Sequence, residues 1–110
     1  MPDSRSAFGW RWMNLTDANV ANGADTVILT NPGTLHTITC NSIPTASGNL
    51  LVYDGPSAGG LLIATVEMVF AGVVTPSFPS TLIFDCVLST GLTVTCDATL
   101  ANFDFTITYM

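Results

Sequence analysis

From residue 26 to residue 109 the chain is a succession of short β-branched runs, each cut by Gly, Pro, Asn or Ser before it is long enough to make a helix. Stretches 26–30, 35–40, 50–53, 61–68, 81–88, 92–97 and 103–109 read as strands, with one further strand near Leu15 or Val69 bringing the count to about eight. Turn chemistry separates them: Asn31-Pro32-Gly33, Ser47-Gly48-Asn49, Asp54-Gly55-Pro56, Ala58-Gly59-Gly60, Thr75-Pro76-Ser77 and Ser89-Thr90-Gly91. No stretch carries the 3.6-residue apolar period of an amphipathic helix. An all-β fold follows.

Alternation tells which side of each strand is buried. In 82–88, Leu82, Phe84, Cys86 and Leu88 share one face, and in 92–97 so do Leu92, Val94 and Cys96. The opposite face holds Ile83, Asp85, Val87, Thr93, Thr95 and Asp97. Joined by Ser89-Thr90-Gly91, the two runs are expected to form an antiparallel hairpin with Leu88 opposite Leu92, Cys86 opposite Val94 and Phe84 opposite Cys96. The last run repeats the pattern, with Phe103, Phe105, Ile107 and Tyr109 on one side and Asp104, Thr106 and Thr108 on the other. About eight strands with one buried face each need a second sheet to cover them. The expectation is a single-domain antiparallel β-sandwich, an eight-stranded jelly roll.

Charge is scarce and uneven. The 110 residues include two arginines, Arg5 and Arg11, and no lysine, and from Trp12 onward every formal charge is negative, for a net charge of -6. Only 9% of residues are charged, against about a quarter in ordinary soluble domains. Mean hydropathy is +0.51, so much of the surface is covered by partner chains or built from Thr, Ser and Asn. An acidic body opposes binding to phosphate backbones or anionic lipid, and no apolar run reaches the length of a membrane span. The expected partners therefore include neither nucleic acid nor membrane. The chain divides into an N-terminal arm, 1–13, and a sandwich domain, 14–110. The arm lacks the apolar core of a signal peptide. It holds Arg5, Phe8, Trp10, Arg11 and Trp12, the residue types that dominate binding energy, and these five are the candidate partner-binding residues.

Catalytic signatures are missing from the sequence. His36 is the one histidine and no GxSxG elbow is present, so neither catalytic residues nor a cofactor are expected. His36 and Cys40 lie on the same strand face but four residues apart, roughly 13 Å at the usual strand rise, too far to share a metal. The carboxylates are scattered, with Asp25, Asp54 and Asp97 where aspartate commonly caps turns. Asp85 and Asp97, on the outer face of the expected hairpin, are the one pair considered for calcium. Cys40, Cys86 and Cys96 are odd in number and lack CxxC spacing, which favours free thiols.

Two resemblances add to this reading. Leu51-Val52-Tyr53-Asp54-Gly55-Pro56-Ser57-Ala58-Gly59-Gly60-Leu61-Leu62 resembles the strand-turn-strand signature of extracellular CUB modules, which implies a calcium- or carbohydrate-binding module of CUB or lectin type with Asp54 as a metal ligand. A broader series runs through Asn31-Pro32-Gly33-Thr34-Leu35-His36, Leu51-Val52-Tyr53-Asp54-Gly55, Ile83-Phe84-Asp85, Ser89-Thr90-Gly91-Leu92-Thr93-Val94-Thr95 and Asp104-Phe105-Thr106-Ile107-Thr108-Tyr109. It is similar to small virion proteins of tailed phages, including capsid decoration, or cement, proteins of jelly-roll type. That resemblance implies a non-enzymatic virion component, often a homotrimer, on the outside of an icosahedral shell with the major capsid protein as partner. A head fibre base, tail knob or connector is the other virion position it admits.

Overall fold

A computed structural model describes residues 9–18, 20, 23–42, 44–46, 48–67, 80–97 and 101–110, together with the backbone of Ser4, Arg5 and Met68. Nine strands are assigned among them: β1 (Ser4–Arg5), β2 (Arg11–Thr16), β3 (Asp25–Leu29), β4 (Gly33–Cys40), β5 (Gly48–Asp54), β6 (Leu61–Met68), β7 (Ser80–Leu88), β8 (Leu92–Cys96) and β9 (Asp104–Tyr109). Setting aside the two-residue β1, they form two four-stranded sheets. Sheet A has the order β1-β2-β9-β4-β7 and sheet B the order β3-β8-β5-β6.

Antiparallel partners nest: β2 with β9, β3 with β8, β4 with β7, and β5 with β6. This is a long hairpin with its tip at β5–β6, rolled until β9 also meets β4 and β8 also meets β5. Rolling turns one ribbon into two facing sheets, the jelly-roll arrangement expected from the strand count.

The sheets close over a continuous apolar layer. Sheet A contributes Leu15, Leu35, Ile38, Cys40, Leu88, Phe105, Ile107 and Tyr109, and sheet B contributes Leu50, Val52, Val66, Leu92, Val94 and Cys96. Phe103, just ahead of β9, stacks on Phe105 with ring centroids 5.8 Å apart. Each such side chain adds about 1.5 to 3 kcal/mol on leaving water. The period-2 reading of β9 holds throughout, since Phe105, Ile107 and Tyr109 are buried and Asp104, Thr106 and Thr108 are half-buried.

The expected hairpin of 82–88 with 92–97 does not form. β7 pairs with β4 in sheet A, whereas β8 lies between β3 and β5 in sheet B, so Ser89-Thr90-Gly91 crosses between sheets. Alternation fixes the buried face of a strand and says nothing about its neighbour; both runs turn the expected face inward, but toward each other's sheet. At the sheet edge the burial is partial, with Leu82 41% exposed and Phe84 and Cys86 half-buried. Backbone approaches closely at the crossing. A Cβ on Gly91 would sit 2.5 Å from the Leu29 carbonyl oxygen and 3.1 Å from that of Gly55, which fits glycine there. Thr93 is fully buried despite its outward parity, and its hydroxyl donates to the Gly55 carbonyl at 2.8 Å.

β2 runs through the division expected between residues 13 and 14. Arg11, Trp12 and Met13 pair with Tyr109, Thr108 and Ile107 as regular members of sheet A. Met13 also packs against the core.

Candidate functional site

The outer face of sheet A can be followed row by row. Trp12 on β2 lies opposite Thr108 on β9, Thr108 opposite Thr37 on β4, and Thr37 opposite Ile83 on β7. The middle of that row is tied by the Thr37 and Thr108 hydroxyls, 2.5 Å apart. The next row is Asn14, Thr106, Thr39 and Thr81, with the Thr39 and Thr81 hydroxyls 2.9 Å apart. Farther along, the Asn14 and Asn41 side-chain amides both donate to Asp104 Oδ1, at 2.7 and 3.0 Å. The face thus grades from a hydrogen-bonded Thr, Asn and Asp lattice to an end carrying apolar and aromatic groups.

That end is shaped by a bulge. On β4 the pairing with both neighbours shifts between Leu35 and Thr37: His36 is inserted relative to β9, while β7 carries the extra residue relative to β4, with Phe84 and Asp85 across from His36. Across from it, Asp85 adopts a positive φ of 46°, a conformation aspartate tolerates better than most residues. The His36 Nδ1 contacts the Asp85 carboxylate, and Trp10 lies on the imidazole with ring centroids 4.3 Å apart and planes 19° from parallel. The insertion also changes parity along β4. His36 points outward while Ile38 and Cys40 are buried, so the expected sharing of one face by His36 and Cys40 is corrected.

The N-terminal candidates divide accordingly. Trp10 and Arg11 are half-buried and Trp12 is 40% exposed beside Thr108. Arg5 lies in β1 opposite Arg11, and its side chain, like all of Phe8, falls outside the described residues. Trp12 is therefore carried by the sheet itself, and Trp10 stands immediately ahead of β2. β7 supplies exposed apolar groups on the same face, Ile83 at 73% and Val87 at 82% exposure.

Three of the carboxylates placed by the structure accept backbone or hydroxyl hydrogen bonds. Asp54 Oδ2 accepts the Ser89 amide at 2.9 Å and Oδ1 the Thr90 amide at 3.0 Å, and the Ser89 and Thr90 amides hold its pKa below the usual carboxylate range. Its role is to cap the inter-sheet crossing. Asp17 accepts the amides of Asn102 and Phe103, each at 2.9 Å, and Asp25 accepts the Thr95 hydroxyl at 2.6 Å. Asp85 lies in β7 of sheet A and Asp97 just past the end of β8 in sheet B, which removes the pair expected for calcium. Among the described residues no three His, Cys, Asp or Glu side chains converge on one point. A shallow hollow of about 320 Å³ between Asp17, Ser42, Asn102 and Asp104 is open to solvent, and both its carboxylates are already bonded.

Chemically, the His36–Asp85 pair lacks a nucleophile: among the described residues no hydroxyl or thiol hydrogen-bonds the imidazole. Sequence reasoning found Trp10, Trp12, Ile83 and Val87 but missed that they share one face, and missed the capping role of Asp54 toward residues 89–91. The positive φ at Asp85 and the doubled register shift at His36 leave no composition signal. Comparisons of the chain with protein-family models, with curated proteins and with solved structures found no match.

Proposed function

We propose that the chain is a non-enzymatic structural protein of a phage virion, a decoration or cement subunit that binds the outside of the capsid and stabilises contacts between major capsid proteins. The observation that carries this reading is a charge-poor jelly roll whose sheet A ends in exposed Trp12, Ile83 and Val87, groups that a subunit in a permanent assembly covers and a free-standing protein leaves in water. The resemblance to small virion proteins supplies the identity of the assembly. In this reading Arg5, Phe8, Trp10, Arg11 and Trp12 make partner contacts, the subunit is a homotrimer, and it resides on the virion surface after synthesis in the host cytoplasm. A calcium- or carbohydrate-binding module of CUB or lectin type has less support, because the Asp54 carboxylate that would hold the metal is committed to the Ser89 and Thr90 amides.

The test is quantitative mass spectrometry of purified virions from the phage that encodes the chain. The expected result is a copy number comparable with that of the shell protein, together with rebinding of the purified chain to shells stripped of it. Absence from the particle overturns the reading, and a copy number at the scale of a single vertex or tail assigns the chain to a head fibre base, tail knob or connector.

A further inference from the structure

Two backbone irregularities meet at one pair of side chains. The bulge turns His36 of β4 outward, and the carboxylate that its Nδ1 contacts belongs to Asp85 of β7, held at a positive φ of 46°. Bulges re-aim side chains beside functional sites, and a positive φ at a non-glycine residue points the same way. Trp10 covers one face of the ring, with centroids 4.3 Å apart and planes 19° from parallel. With the Nδ1 proton donated to Asp85, the other ring nitrogen, Nε2, is a lone-pair acceptor. It has no hydrogen-bond partner among the described residues, and the side chain is 34% exposed. The chain's one histidine is thus fixed in tautomer and in ring plane, with its basic nitrogen unused. A carboxylate on one ring nitrogen is the arrangement that orients a metal-ligating histidine.

We propose that His36 Nε2 ligates a borderline divalent cation of the zinc class, shared by three copies of the chain. One copy cannot complete the site: among the described residues no three His, Cys, Asp or Glu side chains converge on one point, and the Asp85 carboxylate is engaged at Nδ1. Three imidazoles and a water make the ordinary open zinc set, so three copies supply what one lacks. The surroundings favour an approach at this point. Ile83 and Val87 flank Asp85 along β7 at 73% and 82% exposure, and copies that meet there cover them. Charge calls for the cation. Each copy brings its Asp85 carboxylate and a net charge of -6 to the contact, while neither β4 nor β7 carries Lys or Arg, so a divalent ion offsets a repulsion that these strands cannot. The inference rests on the homotrimer of the reading above and not on the shell, so purified chains can share a metal whether or not they sit on a virion, and a virion subunit can lack one.

Equilibrium dialysis of the purified full chain against Zn2+, with sedimentation velocity on the same samples, tests it. The expected result is about one zinc per three chains, carried by an assembly about three times 11.6 kDa. His36→Gln is expected to take up no zinc. Asp85→Asn keeps a side chain that tolerates positive φ and is expected to bind about 10- to 100-fold more weakly, because the ring is no longer oriented by a carboxylate. Circular dichroism melts check that both variants fold. A further measurement needs no change at His36: in a Trp12→Phe chain the one remaining indole is Trp10, and Cu2+ bound at Nε2 is expected to quench its emission. Wild-type chain that takes up no zinc, or binds it as a monomer, overturns the proposal. So does a His36→Gln variant that binds zinc as the wild type does, or a Trp10 emission that Cu2+ leaves unchanged.

Discussion

Asp54 and Thr90, 36 positions apart in the chain, are joined twice: Asp54 Oδ1 accepts the Thr90 amide at 3.0 Å and its hydroxyl at 3.2 Å. With the Ser89 amide on Oδ2 at 2.9 Å, the carboxylate secures the loop that carries the chain from sheet A to sheet B. Those amides favour the ionised form and lower its pKa in the fold. A carboxylate whose folded pKa is depressed stabilises the fold above its unfolded value, and that stabilisation is lost as pH falls through the folded value. Asp54→Ala is therefore expected to lower the thermal midpoint at neutral pH, with the gap from wild type closing in acid below the ordinary carboxylate range. Melts across an acid pH series check this; a gap that stays constant with pH assigns the loss to packing instead.

Inward and outward positions should differ sharply in cost. Phe105 is 1% exposed at the centre of the layer, and Phe105→Ala is expected to cost about 3 to 5 kcal/mol. Phe84 is half-buried at the sheet edge and should cost less, while Ile83→Ala, at 73% exposure, should fall within about 0.5 kcal/mol of wild type when the protein is kept monomeric by dilution. Urea melts measure the order. A large loss at Ile83 in the monomer places another segment of the chain over it.

Strand existence and strand facing were legible in the sequence, because both depend on local periodicity. All seven expected runs correspond to strands, and the further one near Leu15 is β2. Neighbour choice was not legible. Leu88 and Leu92 each face the core and sit three residues across a turn, which looks like a hairpin until the sandwich separates them into two sheets. The candidate face was legible only in pieces: Trp12 and Ile83 are brought into one row through Thr108 and Thr37, a relation set by three long-range registers and by no local pattern. The His36 bulge was invisible for a related reason. An inserted residue inverts the facing of whatever follows it, so alternation counted across it placed Cys40 with His36.

Cys96 gives the fold a sensitivity to alkali. Burial, with a smaller contribution from the Asp17 charge, pushes its thiol up to about 12, and the thiols are free. A thiol with a raised folded pKa stays protonated in the fold while the unfolded chain has already lost its proton, so stability falls as pH rises from the ordinary thiol value toward the folded one. Cys96→Ala is expected to flatten the alkaline arm of the stability profile, although it lowers the plateau by leaving a small cavity. Thiol labelling supplies an independent check: half-buried Cys86 should react first and buried Cys40 and Cys96 only as the protein opens, with three free groups in denaturant.

Where the chain is cut at its N-terminus decides between a detachable arm and a strand. A variant beginning at Asn14 loses the pairing of Arg11, Trp12 and Met13 with Tyr109, Thr108 and Ile107, the contact of Met13 with the core, and the stacking of Trp10 on His36. Met13 is half-buried against the core, so its contact is worth less than the about 2 to 5 kcal/mol of a fully buried large-to-small truncation, and an aromatic stack adds about 0.5 to 1.5 kcal/mol. The expected outcome is a thermal midpoint lowered by many degrees and a broadened transition. A variant beginning at Gly9 keeps all of β2 and the Trp10 stack, forgoes only the β1 pairing among the described contacts, and should melt close to the full chain. Comparing the two separates folding from partner contact, because only the Gly9 variant removes Arg5 and Phe8 while leaving β2, β9, β4 and β7 of sheet A intact. Equal midpoints for the two variants would show that Arg11, Trp12 and Met13 contribute nothing to the sheet they pair with.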